Sequence, residues 1–129
     1  MALPPGHYSF QFNVSSDGEY LDLLWNQRSL DLTCGAGYNI ASYALLLEIV
    51  AKITNKKARY LICSVGSCHI YENHFENAEI QLTRTPKELP TLKIASHIKA
   101  LKDVENSNIY DYSIENYSPD EPLKFDMVV

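Results

Sequence analysis

From Tyr38 to Thr54 the chain reads YNIASYALLLEIVAKIT, a helix-period stretch that is apolar almost all round. Glu48 and Lys52, one turn apart, supply its single polar stripe. A helix with so little polar surface has to be covered by other elements, so it predicts a buried central helix with sheet packed around it. The same two charges interrupt the run before it reaches the length of about 18 apolar residues that crosses a bilayer. No membrane partner is expected.

Upstream, residues 8–14 alternate Tyr8, Phe10, Phe12 and Val14 against Ser9, Gln11 and Asn13, the period of a strand. The SSDGE turn follows, with Asp17-Gly18 able to take positive φ. YLDLLWNQ, residues 20–27, then alternates Leu21, Leu23 and Trp25 against Asp22 and Asn26, which predicts an antiparallel hairpin whose far end delivers QRS. Beyond the helix, YLICSV reads as a short buried strand and ENHFENAEIQLTR as an amphipathic helix stopped by Pro86. LPTLKI reads as a further strand, followed by one weak helix and an extended end. No repeat or linker divides the chain, so its 129 residues read as one domain, 1–129.

The net charge of -5 argues against general affinity for nucleic acid, whose phosphates require a concentrated basic surface. Three cysteines without a CxxC pair, behind a start that has no signal-peptide pattern, point to a reducing, cytoplasmic setting. CSVGSCHIYENH contains two cysteines and two histidines, but Cys68 and His69 are strand neighbours that point to opposite faces, so no metal is expected.

Several polar groups could form a small-molecule site. Arg28 offers a planar fork for a phosphate, Ser29 a hydroxyl beside it, and Asp31 an acceptor for a polar ring, although a hairpin end also carries ordinary exposed polar residues. Asn39 presents an acceptor and two donors, the pattern that reads a base edge such as uracil's; asparagine is equally at home as a helix cap. His69 and Tyr71, two apart, can share a sugar hydroxyl if the strand continues through them.

In this order, the stretches LPPGHYSFQF, WNQRSLDLTCGAGYNIASYALL, CHIYENHFENAEIQLTRTP, LPTLKI and IENYSPDEPLKFDMVV resemble thymidylate synthase. The resemblance runs from about Leu3 to Val129 and corresponds to the C-terminal half of a family member. It implies an α/β (α+β) fold with a mixed, kinked sheet and a homodimer made by stacking two sheets. It also implies methylation of dUMP to dTMP, with 5,10-methylenetetrahydrofolate as co-substrate and no metal, through a cysteine thiolate that adds to C6 of uracil. By the same resemblance Arg28 and Ser29 hold the dUMP phosphate, Gln27 walls it, Asn39 reads uracil, and His69 with Tyr71 holds the ribose. Asp31 touches nucleotide and folate, Gly35 lines the folate site, Val128 and Val129 close over the folate, and His7 flanks the nucleophile.

One departure outweighs the others: between PP and His7, where the family places its cysteine, stands Gly6. Cys34, Cys63 and Cys68 fall elsewhere in the pattern. Ser67 replaces an acidic residue, Ala36-Gly37 replaces Leu-Pro, and Asp120 stands near an expected histidine. Further arginines and the residues that manage proton transfer belong to an N-terminal half. The expectation is therefore an enzyme segment unable to make dTMP unaided, with a non-catalytic dUMP-binding or assembly protein, or a dUMP hydroxymethylase, as alternatives.

Overall fold

The computed structural model describes residues 6–127. Strands β1 (His7–Val14) and β2 (Tyr20–Asp31) form the antiparallel hairpin that the alternation predicts, with Phe10 opposite Trp25 and Phe12 opposite Leu23. In the turn, Gly18 takes φ 78° and the Asp17 carboxylate accepts from the Glu19 amide at 3.0 Å. Only a residue without Cβ adopts that φ at no steric cost.

Helix α1 (Ala36–Ile53) then crosses over the sheet to β3 (Lys57–His69), which pairs parallel with β2. The resulting sheet has the order β1-β2-β3 and is mixed, as expected. Helix α2 (Phe75–Thr83), strand β4 (Thr91–Ile94), helix α3 (Leu101–Glu105) and strand β5 (Tyr112–Glu115) follow, with β4 and β5 forming a separate antiparallel pair. Strand β5 has no strong sequence signal and forms by pairing with β4. YLICSV is the centre of a much longer strand, and its Tyr60 and Ile62 are exposed.

The core lies between α1 and one face of the hairpin, where Leu21, Leu23, Leu47 and Ala51 are buried and Phe12, Tyr43, Leu46, Val50, Ala58 and Leu61 pack around them. The expectation of a buried central helix is corrected here. Among described residues of α1 only Ala36, Leu47 and Ala51 are buried, while Tyr38, Ile40 and Leu45 are exposed. One face meets the sheet, and the described residues supply no layer for the other. By length and composition α1 could span a bilayer. It instead connects two strands that are hydrogen-bonded neighbours, so both its ends return to one sheet, and Leu47 and Ala51 pack on that sheet.

On the sheet face away from α1, Asp22 holds Arg59 in a two-pronged ion pair at 2.9 and 2.8 Å and accepts the Tyr60 amide at 3.1 Å. Gln11, Asn13, Leu24 and Ile62 lie beside it. Further along, β2 and β3 approach closely: a Cβ built on Gly66 would stand 2.9 Å from the Arg28 carbonyl oxygen. Gly66→Ala is expected to push the strands apart at a cost of about 1–3 kcal/mol, read as a lower midpoint in chemical denaturation.

Candidate active site

The core face of β2 continues past the cover of α1 and becomes the site. Leu21, Leu23 and Trp25 lie under the helix, and the next residues of the same alternation are Gln27, Ser29 and Asp31. Gln27 is fully engaged inside this wall: it accepts from Trp25 Nε1 at 3.1 Å and donates to the Ser29 carbonyl at 2.8 Å. Arg28, exposed and between them in sequence, leaves the strand on the opposite side. Strand geometry alone therefore does not bring Arg28 and Ser29 together. A shared phosphate requires the guanidinium to turn round the end of the sheet.

Gly6 lies at that end. Its carbonyl accepts the Arg28 amide at 2.7 Å, and a Cβ built on it would stand 3.6 Å from the Ser29 carbonyl oxygen, an ordinary contact. Next to it, His7 pairs with Gln27 across the hairpin and stacks on Tyr43 of α1, its Nδ1 3.1 Å from the Tyr43 hydroxyl. Tyr43 also stacks on Trp25 at 4.7 Å. It is a site residue that the sequence analysis missed, although its position one turn after Asn39 puts both on one helix face.

Asp31 closes β2 and organises the loop into α1. Its Oδ1 accepts the Thr33 amide at 2.9 Å, the Thr33 hydroxyl at 2.8 Å and the Cys34 amide at 3.1 Å. Partial burial opposes ionisation of this carboxyl, but the Cys34 and Thr33 donors outweigh it and hold it below the ordinary carboxylate range. Gly35 is the N-cap of α1 and supplies no side chain, which removes the capping explanation of Asn39: that residue lies one turn inside the helix. A Cβ on Gly35 would stand 3.3 Å from the Asp31 carbonyl oxygen and 3.7 Å from Asn39 Nδ2. Asp31, Gly35 and Asn39 therefore share one corner.

His69 ends β3 opposite Asp31, and its ring meets Tyr71 edge-to-face at 5.2 Å. Strand β3 stops at His69, so the strand spacing does not place Tyr71 on the same face, but the two rings meet all the same. Tyr71 in turn contacts His74, which is 1% exposed and was set aside with the metal reading of its segment. Val128 and Val129 lie outside the described residues, but the segment before them is docked: Phe125 contacts the His74 ring and the Asp126 carbonyl lies 2.7 Å from His74 Nε2.

Asp31, Cys34 and His74 bring ligand-type atoms within 4.8 Å of one another, a different trio from the cysteine–histidine set weighed in the sequence. Hydrogen bonds to Thr33, Phe125 and Asp126 already occupy the carboxylate, the thiol and both ring nitrogens. The trio is thus a hydrogen-bonded node. Burial, then the neighbouring Asp31 charge, pushes the Cys34 thiol up, and burial, then Cys68, raises that of Cys63. Both changes disfavour the thiolate.

The whole chain, residues 1–129, matches the thymidylate synthase family. It is 49% identical over 128 residues to the "Probable thymidylate synthase" of Escherichia phage T5, covering 98% of this chain and 46% of that protein. Among solved structures it superposes on thymidylate synthase from T4 phage with TM-score 0.87 and 44% identity, over 100% of this chain and 48% of the other. The thermostable thymidylate synthase A from Bacillus subtilis also gives TM-score 0.87, at 31% identity, over 98% and 44% of the two chains. The chain spans about half the length of each of these relatives. From its first residue to its last, this chain belongs to the thymidylate synthase family.

Proposed function

We propose that the chain carries the nucleotide-binding part of a thymidylate synthase site and does not itself complete the methylation of dUMP. The observation that supports this reading is the glycine at the end of β1: Gly6 stands beside Ser29 and the Arg28 backbone with no atom able to bond to C6 of uracil. Ser29 and Arg28 hold the phosphate, Gln27 shapes the wall, His69 and Tyr71 take the ribose hydroxyl, and Asn39 reads the base. Asp31, Gly35, Val128 and Val129 serve the folate, 5,10-methylenetetrahydrofolate, and His7 flanks the vacant nucleophile position. The setting is cytoplasmic.

Two partners complete the picture. The uncovered side of α1, with Tyr38, Ile40 and Leu45, suits a segment corresponding to the rest of a full-length family member. The uncovered sheet face with Leu24 and Ile62 suits a second copy, giving a homodimer. A nucleotide-binding protein without turnover is favoured over a methylase or a hydroxymethylase by Gly6, since both chemistries begin with the same thiolate addition.

Calorimetric titration with dUMP tests the pocket. Removing one charged phosphate contact costs about 1.5–3 kcal/mol, so Arg28→Ala is expected to weaken dUMP binding by roughly ten- to 150-fold. Equal affinity in the two proteins assigns the phosphate elsewhere, and no heat from the unaltered chain removes the nucleotide reading.

A further inference from the structure

Side chains of other elements hold four carbonyls of the C-terminal segment. Arg84 donates to Glu121 O at 2.7 Å, Asn77 to Lys124 O at 2.8 Å, Cys34 to Phe125 O at 3.8 Å and His74 to Asp126 O at 2.7 Å. His74 alone of these four is fully buried, enclosed by the rings of Tyr71 and Phe125. Its other nitrogen, Nδ1, lies 2.6 Å from Thr33 Oγ1, which is itself 2.8 Å from Asp31 Oδ1.

The hydrogens of this chain of contacts can be counted. A backbone carbonyl only accepts, so Nε2 carries a hydrogen and donates it to Asp126. Thr33 has one hydroxyl hydrogen and two neighbours. The Asp31 carboxylate only accepts, so Thr33 gives it that hydrogen, and the Thr33 oxygen lies against Nδ1. The contacts thus run unbroken from the Asp126 carbonyl through His74 and Thr33 to Asp31. The other titratable groups facing the ring are Tyr71 and Cys34, while the Asp126 carboxylate is turned to Lys124 at 3.0 Å.

We propose that His74 is a positioning residue: acting through Thr33, it ties Asp126 of the tail to Asp31, so that the loop bearing Asp31 and Gly35 moves with the tail as one body. The consequence for folate rests on the reading of Asp31 given above, whereas the relay stands without it.

The chain without ligand provides the test. Trypsin cleavage after Lys124 requires the tail to leave its carbonyl partners, so its rate reports tail release. Thr33→Val keeps the side-chain shape and deletes the hydroxyl; it is expected to speed this cleavage about tenfold, while Thr33→Ser restores the unaltered rate. Cleavage after Lys102, on α3, should not change. Two results would overturn the proposal: a Thr33→Val tail as resistant as the original, or a parallel rise at Lys102 that marks general loosening. Since no nucleotide is present, failure of the dUMP titration leaves this outcome untouched, and the reverse also holds.

Discussion

Gly6→Cys, combined with a separately supplied segment covering the rest of a family member, is expected to produce dTMP from dUMP and methylenetetrahydrofolate, whereas the Gly6 chain under the same conditions produces none. The gap should be about 10⁴-fold or more, because a positioned thiolate contributes both a covalent route and a large effective molarity. The site has room for it. Among the described residues a Cβ at position 6 meets only the Ser29 carbonyl at ordinary contact distance, and Gly6 is not among the positive-φ residues, so cysteine enters without backbone strain. None of the existing thiols substitutes: Cys34 and Cys63 are held in the thiol form by burial, and Cys68, opposite Leu30, alternates to the other face from His69 and Asp31. Formation of dTMP is the direct readout. A cysteine variant that binds dUMP in the complemented system but yields no product would show that more than the nucleophile has been lost.

Trp25→Ala is expected to remove about 3–5 kcal/mol of stability, a large part of the roughly 5–15 kcal/mol available to a domain. Three losses coincide. The ring is 1% exposed, so its removal leaves a cavity at the meeting of β1, β2 and α1. Its stack on Tyr43 disappears, and with it the support of His7 beyond. Gln27 Oε1, deep in the wall, loses the indole donor. Trp25→Phe retains a ring and drops only the donor and part of the volume, and should cost about 1–2 kcal/mol. Chemical denaturation followed by circular dichroism separates the two variants. Trp25 is the sole tryptophan, so tryptophan fluorescence cannot report on either. An alanine variant as stable as the original would mean that the packing of α1 on the hairpin does not hold the chain together.

Period-two alternation made the pairing of β1 with β2 legible, although Tyr8, Phe10 and Val14 of β1 stay exposed. The long helix was legible as an element but not in its burial: an apolar surface announces that it needs cover without saying which segment provides it. Arg28 and Ser29 were grouped by adjacency in sequence, and the extended strand separates them. Asn39 gains weight from the structure, since Gly35 takes the capping position that would have explained it otherwise. The Thr33–His74 contact joins residues 41 positions apart and left no local trace in the sequence. Strand β4 was legible in LPTLKI, whereas β5 is short and forms only by pairing with it.

Parallel pairing of β2 with β3 also has a kinetic side. A hairpin zips from its own turn, but these two strands meet only after the whole of α1 has been made and folded back, a closure that slows folding relative to local contacts. On a ribosome adding about 5–20 residues per second, β1 and β2 can join early, while the apolar helix waits seconds for its parallel neighbour. During that interval the nascent chain is open to association with its siblings, and slower translation beyond Thr54 would lengthen the danger.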